Sequence, residues 1–550
     1  MRKIDFYSLT WEDITILINT KSQTGILTRA TIIIAFFSLL SKLTGLLRMN
    51  VLTSKFEAHD TLDIFFAAFR VPDFLFNLLI LGTLSAAFIP VFSEYLLKNK
   101  EQAWRLASSI LNLTFIIIGT LALIMVIFAP IFVSLVVPGF DDAKQTSTVI
   151  LTRIMSLSVL FFSLSSVFSS ILNSHKKFTL VAAVPVVYNL AIIFGAIFLY
   201  PIFGINALAY GVVLGAFLHM ALQIPRAFSL GFRVRPVLEL NTPGLKKVAK
   251  LFIPRIFGMD SSQISLLIST IIGSGLASGS VTFYSLAYDL QSLPLGVVAV
   301  SFAIVAFPLL SESFAKKNKN DFRLIFNSAL SQILYFIIPL SALMLVLRAQ
   351  IVRLVLGRGQ FGWEETVMTI SVFGFFVVSL FAQSLIPLFA RAFYAMHNTV
   401  IPVVTSFVTA IVNITLAVIF TKVYDLGVTG LAMAFSLAVI VNLMILFTFL
   451  EIKFGNLVDI GLIYKILTIL VSTVIAGSVA YGSLFVSVTF LDTHTVIGLF
   501  IQAVIATVLF GAVYLGAGSI LGIAESRHIV TTSKSWLNKI RSAFARIPGL

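Results

Sequence analysis

A lysine and an arginine, Lys42 and Arg48, stand inside the first long apolar run of the chain, in SKLTGLLRMN. More charges follow in LDIFFAAFRVPDFLF: Asp63, Arg70 and Asp73. Further on, Arg255 follows Pro254 in LFIPRIFGMDSSQ, with Asp260 five residues later. Asp289 sits in FYSLAYDLQSLP, well inside an apolar run and five residues before Pro294. A charge at the centre of a bilayer costs at least ~2.5–3.5 kcal/mol on insertion scales. Such side chains must face a wet cavity, pair with one another, or lie at the interface. The chemistry open to them is non-covalent. Lys42, Arg48 and Arg255 are the candidate substrate-binding residues, because they could hold an anionic group. Asp63, Arg70 and Asp289 are the candidates for ion pairing and gating.

Each has a plainer account. Lys42 and Arg48 lie six apart, about 600° around a helix, so they occupy different but not opposite faces. Snorkelling from a helix end suits Arg48, which nears the outer boundary. A local Arg255–Asp260 pair would account for that position, and Arg153 and Arg391 read as span-end anchors. Covalent chemistry finds no support. His59, His175, His219, His397, His494 and His528 are scattered, there is no Cys, and no HExxH or nucleophile motif occurs. No enzyme, no metal site and no cofactor is expected.

The elements that must position these charges follow from composition. Of 550 residues, 59% are hydrophobic and 11% charged, against about 25% charged in soluble domains. The expected fold class is an all-α polytopic membrane protein with about fourteen spans, at 26–50, 62–96, 105–135, 147–172, 178–200, 204–226, 248–273, 279–313, 322–347, 365–394, 398–421, 427–450, 461–488 and 494–522. The net charge of +15 fits basic cytoplasmic loops better than nucleic acid. With both termini inside, the inner loops collect Lys98, Lys100, Arg105, Lys176, Lys177, Arg226, Arg233, Arg235, Lys246, Lys247, Lys250, Lys316, Lys317, Lys319 and Arg323. One outer loop breaks the rule with Arg348, Arg353 and Arg358, around the LGRGQF turn.

The chain also repeats itself. Pro90-Val91-Phe92-Ser93-Glu94 returns as Pro308-Leu309-Leu310-Ser311-Glu312, and Trp104-Arg105-Leu106 as Phe322-Arg323-Leu324, both at an offset of 218 residues. Phe203-Gly204-Ile205 returns as Leu426-Gly427-Val428 at an offset of 223. Six spans separate the copies, so the halves share one orientation, and a pathway between two six-helix bundles is the physical expectation. The expected organisation is an interfacial or disordered extension at 1–25, an N-lobe at 26–235 and a C-lobe at 236–455. Two further spans at 456–523 and a basic cytoplasmic tail at 524–550 complete it.

The motif series SKLTGLLR, LDIFFAAFRVPD, LGTLSAAFIPVFSEY, SQISLLI, LPLGVVAVSFAIVAFPLLSESF, LGRGQF and RAFYAMHNTVIPV resembles the MurJ-type (MviN-type) lipid II flippases. These belong to the multidrug/oligosaccharidyl-lipid/polysaccharide exporter superfamily, and the likeness runs from about residue 26 to 520. The resemblance implies a V-shaped core of twelve helices, and two further helices that form a groove for a lipid tail. It implies transport of the undecaprenyl-pyrophosphate-linked disaccharide-pentapeptide from the cytoplasmic to the outer leaflet by alternating access, without ATP hydrolysis. It also implies a monomer in the bacterial cytoplasmic membrane, in contact with membrane lipid and with cell-wall synthesis proteins as possible partners, and with no nucleic acid.

The sequence departs from the family at several cavity positions. Lys42 stands where members usually have Arg, which keeps the charge and loses the planar two-pronged donor. Met49 replaces an Asp; Phe76, Asn77 and Leu81 stand where members often have a basic pair and an acid. In Ala287-Tyr288-Asp289 the usual Arg after the acid is absent. Arg255 or Arg70 could compensate. Two other readings follow from the same residues: a drug or metabolite antiporter coupled to a cation through Asp289 or Asp63, and a transport-inactive scaffold for wall synthesis.

Overall fold

The computed structural model describes residues 23–79, 83–256, 261–455 and 457–532. The residues of the expected N-terminal extension up to 22, and those of the tail from 533 onward, lie outside the described residues. The chain divides into two compact units, Met1–Met259 and Asp260–Leu550.

Unit 1 contains α1 (Gln23–Lys55), α2 (Asp60–Leu79), α3 (Thr83–Lys98), α4 (Lys100–Ile127), α5 (Ala129–Val136), α6 (Asp142–Ser174), α7 (Phe178–Phe194), α8 (Asn206–Ala221), α9 (Ile224–Ser229) and α10 (Pro243–Ile256). A π turn at Gly195–Leu199 extends α7. The long helix α6 is the pillar, with α2, α4 and α8 packed on it, while α1 packs on α7. Within unit 1, α10 packs on α3 and α4, and Lys247 of α10 pairs with Glu94 of α3 at 2.6 Å.

Unit 2 contains α11 (Ser261–Gly273), α12 (Ser280–Pro294), α13 (Val300–Ala315), α14 (Lys319–Val346), α15 (Arg348–Val355), α16 (Trp363–Val378), α17 (Leu380–Ala395), α18 (Val400–Val418), α19 (Gly427–Phe454), α20 (Ile460–Val488) and α21 (Val496–Ile520). The last two pack on each other, and α20 also packs on α14. There the Tyr514 hydroxyl donates to Tyr335 O at 2.8 Å, and Lys465 pairs with Glu525 at 2.5 Å.

Among the described residues, ten helices are long and apolar enough to cross a membrane, or eleven if the bent pair α16 and α17 counts as one span. Each of the fourteen expected runs carries helix among the described residues, but not always one continuous helix: 105–135 holds α4 and α5, 365–394 holds α16 and α17, and 279–313 is interrupted by a π turn, Leu295–Ala299, directly after Pro294. A proline ring removes a backbone donor and crowds the preceding turn, so a continuous apolar run need not give one continuous helix.

The sequence repeat is visible as repeated local structure. Asn99 caps α4, accepting from the backbone N–H of Glu101 and Gln102 at 2.9 and 3.2 Å. Asn318 caps α14, accepting from Asp321 N at 3.1 Å. Trp104 packs on Phe232 at 5.7 Å between ring centres, and its counterpart Phe322 stacks on Phe454 at 4.5 Å. The π turn Gly195–Leu199 returns as Ile419–Val423, and the left-handed Gly204 (φ +57°) as Gly427 (φ +55°).

Candidate functional site

Lys42 opens into a hollow of about 680 Å³ in unit 1. Its walls come from four helices: Ser38 and Ser41 of α1, Ile89 of α3, Asn173 near the end of α6, and Val181 and Pro185 of α7. The placement of Lys42 has a local cause. The turn Ser41–Gly45 is small and polar, and Asn189 of α7 reaches across to it. Its side-chain amide donates to Ser41 O at 3.2 Å and approaches the Thr44 hydroxyl at 3.5 Å. Asn189 is 7% exposed. The Thr44 hydroxyl donates in turn to Leu40 O and Ser41 O, both at 3.0 Å. The α1–α7 contact is thus pinned one residue from the Lys42 side chain.

Close contact between α7 and α8 holds Asn189 and its neighbour Tyr188 in place. A methyl group on Gly195 would stand 2.8 Å from Ala207 O and from Gly211 Cα. One on Gly215 would stand 2.7 Å from the Tyr188 ring and 3.0 Å from Tyr188 O. Only hydrogen fits at these crossings, as is usual where membrane helices approach closely. Arg48 of α1 is partly buried, whereas Lys42 is exposed to the hollow.

Asp63 is 2% exposed and has a basic partner on another helix. The Lys144 ammonium lies 3.8 Å from Asp63 Oδ2 and 2.6 Å from Asp60 Oδ1, with the Phe140 ring 4.8 Å away. Lys144 opens α6 and Asn173 closes it. At 1.5 Å per residue, this pair stands about 44 Å along α6 from the Lys42 hollow. Arg70 is half-buried on α2. The side chain of Arg255, near the end of α10, lies outside the described residues, as does Asp260. Asp289 belongs to unit 2, partly buried on α12, where the Ser292 hydroxyl donates to its carbonyl at 2.8 Å.

Asn189 and Tyr188 are not among the residues singled out from the sequence, and Lys144 counts there only as an outer-loop charge. A lone Asn in the apolar run VVYNLAIIF was the available signal, since an amide in a membrane helix needs a partner. The serine-rich stretch of α6 carries a polar network. Ser165 sits 2.7 Å from His219 Nδ1 and accepts from Gln223 Nε2 at 2.6 Å, and Ser169 donates to Gln223 Oε1 at 2.7 Å. This network knits α6 to α8 and the turn that follows it. Ser85 of α3 meets Ser170 at 2.8 Å.

An ammonium in a solvent-accessible hollow within an apolar bundle can bind an anionic group and release it. Ten or eleven apolar spans among the described residues, with local structure that repeats between the two halves of the chain, mark a polytopic membrane protein. In fold, the chain is similar to an inward-facing multidrug resistance MATE family transporter of the MOP superfamily, at 15% identity and a TM-score of 0.64 over 78% of this chain and 98% of that one. It is more similar to a solved lipid II flippase MurJ in an inward closed conformation, at 26% identity and a TM-score of 0.74 over 89% of this chain and 98% of that one. The sequence model of the family described as lipid II flippase MurJ matches residues 52–504, and this chain belongs to that family. Relatives include a probable lipid II flippase MurJ of Buchnera aphidicola, 30% identical over 70% of this chain and 77% of the relative. Another, from Borreliella burgdorferi, is 28% identical over 81% of this chain and 87% of the relative.

Proposed function

We propose that this protein is a flippase that carries the lipid-linked peptidoglycan precursor, lipid II, from the cytoplasmic to the outer leaflet of the bacterial inner membrane. Family membership supports the substrate. The observation that carries the mechanism is the Lys42 hollow, walled by α1, α3, α6 and α7. A pyrophosphate is excluded by hydrocarbon, so its carrier must offer a wetted cation, and Lys42 is one. Arg48 is the second cation in this scheme, one and two-thirds turns along the same helix. Arg255 is the third cation in this scheme. Asp63, Arg70 and Asp289 set the ion pairs that hold each unit in shape while access alternates, and the polyprenyl tail runs along α20 and α21. Alternating access needs bodies that move as units, and the two units are those bodies. The lysine- and arginine-rich loops support a cytoplasmic position for both termini.

The test is complementation. Bacteria depleted of their own lipid II flippase should grow when this chain is expressed, and labelled precursor should become accessible outside. Lys42→Ala/Arg48→Ala should abolish rescue at equal protein level, whereas Lys42→Arg should keep it. Rescue by the double alanine variant would overturn the cation-hollow mechanism. Drug resistance without rescue would overturn the substrate.

A further inference from the structure

We propose that unit 1 carries a second, separate site, an apolar slot that takes one acyl chain of an anionic phospholipid while Lys246 and Lys250 hold its phosphate. The slot has a volume of about 390 Å³ and lies between α3, α4 and α10, within the range of small-ligand sites. Leu84, Ile110, Ile117, Val248 and Phe252 line it, and Lys246 is the charged side chain on its wall. It opens toward lipid: Ile117 is 48% exposed, and its neighbours Phe115 and Ile116 are also exposed, on a helix long and apolar enough to span a membrane.

The argument for a charged headgroup comes from α10. Its sequence PGLKKVAKLFIPRI buries Leu245 and Val248 against α3 and α4 and leaves three lysines outside. The lysine-bearing start of this helix suits the membrane interface. Lys247 is engaged by Glu94. Lys246 and Lys250 are exposed, four residues apart and therefore on one face, and among the described residues neither makes an ion pair. Like charges at this spacing repel, so an anion is the complementary occupant. On the charge-based orientation this loop faces the cytoplasmic leaflet, where anionic lipid is concentrated. A phospholipid satisfies both features at once, with a chain for the slot and a phosphate for the two lysines. The site does not depend on the transport reading, because neither lysine lines the Lys42 hollow.

The experiment uses the full chain in phosphatidylcholine nanodiscs. They are doped with phosphatidylglycerol carrying a photoreactive group on its acyl chain, and cross-links are mapped by mass spectrometry. Cross-links should concentrate on the 110–121 and 245–252 segments. Phosphatidylglycerol should exceed an identically labelled phosphatidylcholine by about fivefold per lysine, as ~1 kcal/mol of attraction to each implies. Lys246→Glu/Lys250→Glu should remove that preference, and Ala249→Trp, which fills the slot, should reduce cross-linking by both lipids. A thermal unfolding scan confirms that both variants are folded. Equal labelling by the two lipids overturns the headgroup assignment. Labelling no denser at the slot than along α18, where Phe407 and Ile411 are exposed, overturns the slot. Displacement of phosphatidylglycerol by an equimolar polyprenyl phosphate assigns the site to a prenyl tail and overturns the phospholipid.

Discussion

Replacing Asn189 by Leu separates the role of Lys42 from general packing. Asn189 joins α7 to α1 through a hydrogen bond to Ser41 O at 3.2 Å and a longer approach to Thr44. Leucine keeps the branched outline of the side chain, with bulkier methyl groups in place of the amide, and cannot donate. Hydrogen bonds between membrane helices are worth about 0.6 kcal/mol on average and about 1.7 at most. The helix contact should therefore weaken by roughly three- to twentyfold in its equilibrium constant. Thermal unfolding in detergent should register a small drop, while transport should fall further, because the released turn carries Lys42. The deciding measurement is epistasis. In a Lys42→Ala background, Asn189→Leu should lower stability by the same amount and change transport no further. A positioning role predicts this split, whereas a purely structural role predicts additive loss in both readouts. Unchanged transport in the single variant, at normal protein level, would refute the reasoning.

Other outcomes follow from the same geometry. Gly195→Ala should destabilise unit 1 by about 1–3 kcal/mol, since its methyl group would meet backbone at 2.8 Å. Gly477→Ala has open space and should be neutral or slightly stabilising in the same unfolding assay. Lys144→Met removes the ammonium beside buried Asp63; breaking such a pair costs about 3–5 kcal/mol, and adding Asp63→Asn should recover much of the loss in chemical denaturation. The hydrogen bonds and charges of Lys247 and Lys98 hold the Glu94 carboxyl down at about 2, against an ordinary 4.5. A depressed acid stabilises above its unfolded pKa and loses that contribution as pH falls through the folded value. The melting difference between the wild type and Glu94→Gln should therefore be full above pH 4.5 and fade toward pH 2, and high salt should shrink it, because the group is exposed.

The helical class, the repeat and most spans were legible because they are properties of local composition. A run of twenty apolar residues has few alternatives to a membrane helix. The copies at Asn99 and Asn318 cap their helices in the same way because capping is decided within four residues. Helix continuity was less legible. Pro294 sits in an unbroken apolar run, and only the backbone reveals that a π turn follows it.

Charge pairing was the least legible feature. Asp63 looked close in sequence to Lys42 and Arg48, yet its partner is Lys144, at the far end of α6 from the hollow. Sequence alone determined that the chain lives in a bilayer, that it is built twice over, and that cations stand where lipid would reject them. Tertiary structure decided which of them face a hollow and which are paired. Helix contacts bring together Ser41 and Asn189, 148 residues apart, and whether a charge is costly depends on what those contacts place around it.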